Sequence, residues 1–167
     1  MAAKQDFTPE EWTKILESTM LAGVAISAAD PSGLWGTIKE FLANTSALYE
    51  SALAPDSNEL VKAVVSDSET AKGMSDIQKA LHRRFADAKV PADYVQRSLA
   101  GLRDVSVIVD RKAPRDAAAF KAWLYGIGKK VAEASMEGGF LGFGGVKVSD
   151  AEKATLGDIA RTLGTAV

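Results

Sequence analysis

Two acidic residues close comparable stretches of the chain. Asp30 follows Val24-Ala25-Ile26-Ser27-Ala28-Ala29, and Glu137 follows Val131-Ala132-Glu133-Ala134-Ser135-Met136. Each acid ends a helical run of small residues and is followed by glycine and large apolar side chains. An exposed acid at a helix C-terminus opposes the macrodipole and costs a few tenths of a kcal/mol. Its use at both places asks for a role. Capping the turn that follows is one; supplying an oxygen ligand to a cation is the other. Oxygen-only ligation favours calcium, magnesium or manganese over zinc. Two carboxylates are too few for a full shell, so turn carbonyls, further acids or water would have to complete it.

The segment after Glu137 reads Gly138-Gly139-Phe140-Leu141-Gly142-Phe143-Gly144-Gly145-Val146, with five of the chain's 14 glycines. A flexible linker surrounds its glycines with polar residues; this one carries Phe140, Leu141, Phe143 and Val146. The expectation is an ordered loop whose rings pack on the body of the protein or on a partner. Trp35, between Gly33 and Gly36, is its counterpart after Asp30. If the two turns lie at one end of the fold, Trp35, Phe140, Leu141 and Phe143 form an apolar contact site for a protein partner or a second copy. The glycines match neither a phosphate loop nor a dinucleotide fingerprint, since no lysine-serine pair follows and no strand precedes.

Little else points to chemistry. His82 is the single histidine and stands beside Arg83 and Arg84; there is no cysteine. That excludes disulfides, thiolate catalysis and cysteine metal sites, and makes a histidine-centred metal site a poor fit. The carboxylate pairs Glu10-Glu11 and Asp67-Glu69 have simpler uses at helix starts and solvated turns. An enzyme reading survives only because helical bundles can host carboxylate chemistry without a motif. A net charge of -2 with no long basic run gives no reason to expect nucleic acid. No apolar run reaches the roughly 18 residues of a spanning helix, and the first residues lack a signal peptide's apolar core, so the location expected is the cytoplasm.

The elements that must hold these residues are helical throughout. Thr8-Pro9-Glu10-Glu11 is a capping box, and Trp12, Ile15, Leu16, Thr19, Gly23 and Ile26 follow at helical spacing. Leu34 to Leu48 predicts a second helix, and Leu60, Val61, Val64 and Val65 a short third. The polar interval Ser66 to Met74 is the candidate mobile connection, though Glu69-Thr70-Ala71-Lys72 could continue a helix; Ser75-Asp76-Ile77-Gln78 is the next capping box. Val90-Pro91 opens a helix through Val95, Leu99, Leu102, Val105 and Val109. Its β-branched end could suggest a strand, but the unbroken spacing favours helix. Pro114 restarts the chain for a helix marked by Phe120, Trp123, Leu124, Ile127 and Val131. Gly126 and Gly128 each weaken it by about 1 kcal/mol, which close approach of a neighbouring helix would offset. Ser149-Asp150-Ala151-Glu152 opens the last helix, with Gly164 as its C-cap. The fold expected is an all-α, single-domain bundle of about seven helices over residues 1–167. The likeness of its two acidic turns is what a degenerate internal repeat would leave.

Ala132-Glu133-Ala134-Ser135-Met136-Glu137-Gly138, with Val148-Ser149-Asp150-Ala151-Glu152 and the run to Leu163-Gly164, resembles the tellurite-resistance TerB-like pattern. That pattern is an alanine-rich helix ending in Ala-Asp-Gly, a short turn, and a Ser-x-x-Glu helix closing near Leu-Gly. Ala28-Ala29-Asp30 is similar to the same signature. The likeness covers about the last 35 residues and a short early segment. Glu137 stands where the family has aspartate, and Gly139 to Lys147 is an insertion. The resemblance implies a helical bundle linked to stress-response complexes, with metal held by acidic residues in some members. The function expected is therefore a non-enzymatic interaction module. The alternative is a divalent-metal or small-ligand protein using Asp30 and Glu137.

Overall fold

In a computed structural model, residues 2–29, 58–134 and 148–165 are described. Among them are six α-helices and no strand: α1 Pro9–Ala29, α2 Glu59–Ser68, α3 Ala71–Phe85, α4 Pro91–Lys112, α5 Pro114–Ala134 and α6 Asp150–Leu163, preceded by a 3-10 turn at Lys4–Asp6. The chain is an all-α bundle. The helix expected over Leu34 to Leu48 lies outside the described residues.

The helix signals at the ends behave as their chemistry dictates. Thr8 N–H donates to Glu11 Oε2 at 2.9 Å, and Glu11 N–H returns to Thr8 Oγ1 at 3.2 Å. Ser149 and Glu152 make the same reciprocal pair at 2.8 and 3.2 Å. Gly164 closes α6 at φ 67°, and Thr165 N–H donates back to the Ala160 carbonyl. Between α4 and α5 the chain turns on Ala113 alone, with Pro114 in the first position of the new helix. Val105 and Val109 are buried within α4, as the unbroken spacing required.

One expected boundary is wrong. Ser66 to Met74 is not a mobile connection, and Ser75 does not start a helix. α2 runs to Ser68, and α3 begins at Ala71, with only two residues between. Thr70 caps α3, its Oγ1 accepting from Gly73 N–H at 2.9 Å. The junction can be this tight because Gly73 has no side chain. A Cβ there would overlap the carbonyl oxygen of Asp67.

α1 is the axis of the bundle and packs against all five other described helices. From Ile15 to Ile26 every residue is buried, so it has no polar face at all. A helix enclosed on all sides must have its polar groups satisfied: Glu17 by Arg84 of α3, and two hydroxyls within the helix itself. Ser18 and Thr19 donate to the carbonyls of Ile15 and Leu16 at 2.7 and 2.8 Å. Around it Leu60, Val64, Leu102, Val109, Phe120, Leu124, Ile159 and Leu163 complete the core.

The directions of three helices follow from named contacts. Arg111 pairs with Glu11, and Lys14 with Asp104, while a Cβ on Gly101 would meet Leu21. α4 therefore runs antiparallel to α1. Lys112 also reaches Glu11, which starts α5 beside the first turn of α1. About four turns further along each helix, a Cβ on Gly128 would lie 3.7 Å from Ala22 Cβ. α1 and α5 thus run side by side in the same direction. Gly128 also faces Ile159 and Leu156 of α6, the close approach expected of it. Gly126 does not share that role: a Cβ there would meet nothing within 4 Å.

Candidate functional site

The parallel course of α1 and α5 fixes where their ends fall. Ala29 lies seven residues beyond Ala22, and Ala134 six beyond Gly128. At 1.5 Å per residue both helices end about 10 Å past that shared contact. Ala29 and Ala134 are the last described residues before the two acidic, glycine-containing turns. The described parts of α1 and α5 thus stop at one end of the bundle. Asp30, Trp35, Glu137, Phe140, Leu141 and Phe143 themselves lie outside the described residues.

The opposite end is closed by a polar clasp that sequence reasoning did not find. Ala2 N–H donates to Asp116 Oδ2 at 2.8 Å, and Asn58 Nδ2 to Asp116 Oδ1 at 2.9 Å. Asn58 at the same time caps α2 through Oδ1. Asp67 accepts from Lys4 Nζ at 2.9 Å and from the Trp12 indole at 2.7 Å. Burial alone would raise the Asp67 carboxyl; the hydrogen bonds from Lys4 and Trp12 outweigh it and hold the group below its usual range. Trp12 fills the core, as expected of it, and packs on Phe7 with ring centres 5.7 Å apart. Trp123 is only partly buried, against Phe120 at 5.6 Å. Glu11 stands at a helix start, as expected, whereas Asp67 is not in a solvated turn but inside α2, partly buried against Trp12.

The middle of the bundle holds a second polar feature. Glu17, only 3% exposed, accepts from Arg84 Nε at 2.6 Å and Nη2 at 2.8 Å. Arg84 and Arg97 also exchange hydrogen bonds with each other's backbone carbonyls. This bidentate pair ties α3 to α1 and α4, and the bond to Glu17 raises the Arg84 pKa further. It floors an open groove of about 590 Å³, whose rim includes Lys14, Arg83 and Asp104. The signal in the sequence was a glutamate in the mostly apolar stretch Ile15 to Ile26, with His82-Arg83-Arg84 the densest basic cluster to meet it.

Chemically, these groups bind each other and leave no reactive atom poised. Among the described residues no group of three or more histidine, aspartate or glutamate side chains could hold a metal ion. His82 is exposed on α3. No described helix is long and apolar enough to cross a membrane. Comparison with protein-family models, curated proteins and solved structures gives no match. The likeness to TerB-like proteins therefore rests on the residues quoted above.

Proposed function

We propose that the chain is a non-enzymatic helical interaction module, TerB-like in a loose sense, whose contact surface is the bundle end where α1 and α5 stop. The observation that carries this reading is the parallel packing of those two helices, which brings Ala29 and Ala134 to the same end. Two glycine-containing turns with apolar side chains start there. Trp35, Phe140, Leu141 and Phe143 are the contacts assigned to a protein partner or a second copy, because clustered apolar side chains of this kind mark interaction surfaces. The test is the double substitution Phe140→Ser and Phe143→Ser. It should abolish association in sedimentation measurements and leave the helical circular dichroism intact. Unchanged association with preserved folding would overturn the reading.

The same convergence favours a second reading. Asp30 directly follows Ala29, and Glu137 comes three residues after Ala134, so both carboxylates start from one end of the bundle. They would supply oxygens to calcium, magnesium or manganese. Calorimetric titration of chelator-treated protein with these ions decides it: heat and a raised melting temperature, both lost in Asp30→Asn with Glu137→Gln, support a site. Absence of both heat and stabilisation rejects it.

A further inference from the structure

On α3, Lys72, Asp76 and Arg84 are paired, but three basic side chains on its outer face are not. Lys79, His82 and Arg83 are exposed and stand three and four residues apart, so they share one face within little more than a turn. None of the three makes an ion pair or hydrogen bond with a described residue. The acids of the same stretch make no direct bond to them. Asp76 is bonded to Lys72 and feels Lys79 only through space, and Asp87 makes no ion pair within 4 Å among the described residues. Arg84, the next cation, is turned inward to Glu17. Like charges at this spacing weaken a helix, and the chain as a whole carries -2. The patch therefore runs against both local stability and the average surface.

Room for a ligand exists on both sides of Arg83. One open groove of about 540 Å³ is lined by Gln78, Lys79, His82 and Arg83. Arg83 also borders the groove above the Glu17–Arg84 pair, but there Lys14 is paired with Asp104 and Glu10 adds an acid. The first groove is the one whose lining carries basic side chains and no carboxylate. We propose that the outer face of α3 docks an acidic peptide segment of a partner protein, its carboxylates meeting Lys79 and Arg83. A nucleic-acid surface would need a longer basic stripe. A bilayer would need a broad flat face instead of a groove.

The probe is a fluorescein-labelled octa-glutamate peptide, read by anisotropy against the full chain at low and physiological salt. Saturable binding that weakens with salt is expected. Lys79→Glu with Arg83→Glu should weaken it at least about tenfold. Lys130→Glu, an exposed lysine on α5, should change it less than about twofold. All three side chains are exposed, so the variants should keep the wild-type helical spectrum. Phe140→Ser with Phe143→Ser should leave this binding unchanged, which separates its failure from failure of the bundle-end surface. No saturable binding, equal weakening by Lys130→Glu, or tighter Lys79- and Arg83-dependent binding to phosphatidylserine vesicles would each overturn the proposal.

Discussion

The guanidinium carbon of Arg84 lies 2.8 Å from where a Cβ on Gly101 would stand. The glycine is thus the space in which the arginine turns to reach Glu17, and Leu21 crowds the same point from α1. Gly101→Ala should gain about 1 kcal/mol in helix propensity and lose more to overpacking, which costs about 1–3 kcal/mol in a filled core. Displacement of Arg84 adds to the loss. Net destabilisation, read as a lower urea midpoint with an unchanged slope, is the expected result.

Glu17 and Arg84 should be worth far more as a pair than either is alone. Removing Arg84 strands a buried carboxylate, and breaking such pairs costs about 3–5 kcal/mol; the partial exposure of Arg84 puts this one toward the lower figure. Arg84→Met should therefore unfold at clearly lower urea than the wild type, and Glu17→Leu in the same chain should restore much of the loss. A double-mutant cycle measures the coupling. If the two changes simply add, the pair is not a unit.

Acid should loosen the clasp end first. Hydrogen bonds from Lys112 and from the Thr8 N–H hold the Glu11 carboxyl down to about 2, from an ordinary 4.5. Asp67 is lowered as well. A folded-state pKa below the unfolded one means that the unfolded chain binds the proton first as pH falls. The stabilisation is full above about pH 4.5 and is lost progressively toward pH 2. Melting temperature should fall across that window, and Glu11→Gln should flatten the slope there. A constant melting temperature from pH 5 to 2 would contradict the assignment.

Ser98 points the other way. It is fully buried, and its hydroxyl has no hydrogen-bond partner among the described residues. A buried hydroxyl without a partner costs roughly 1–3 kcal/mol, and alanine is also the better helix former. Ser98→Ala should stabilise α4 by about 1 kcal/mol, a rise of about 2–4 °C in melting temperature for a chain of this size. A loss of stability would mean that the hydroxyl is engaged after all.

The sequence disclosed what local rules determine. Thr8-Glu11, Ser149-Glu152 and Gly164 act within a few residues of themselves, so their caps could be read without a fold. Ser75-Gln78 has the same pattern but sits inside α3. The deciding fact was tertiary: Gly73 meets the Asp67 carbonyl and lets Thr70 cap the helix earlier. Thr19, placed in the inward spacing of α1, is buried there, its hydroxyl bonded within the helix. Glu17–Arg84 and Ala2–Asp116 join residues 67 and 114 positions apart, a separation that spacing arguments do not bridge. Of the proposed contact surface, the residue types were legible in the sequence. The common end of α1 and α5 required the packing of Ala22 against Gly128.

Enclosure of α1 also bears on how the chain comes to be made. From Ile15 to Ile26 it is buried on every side, so this stretch shows nothing to water in the folded chain. On a ribosome it would leave the tunnel well before α4, α5 and α6, which follow some 60 to 120 residues later. At about 5–20 residues per second that is a wait of several seconds. Throughout it the future axis of the protein is a bare hydrophobic segment, and a nascent-chain holdase would find its target there. Chains stalled at Ser68, with α1 out of the tunnel and α4 not yet made, should recruit such a chaperone, and the released full-length chain should not.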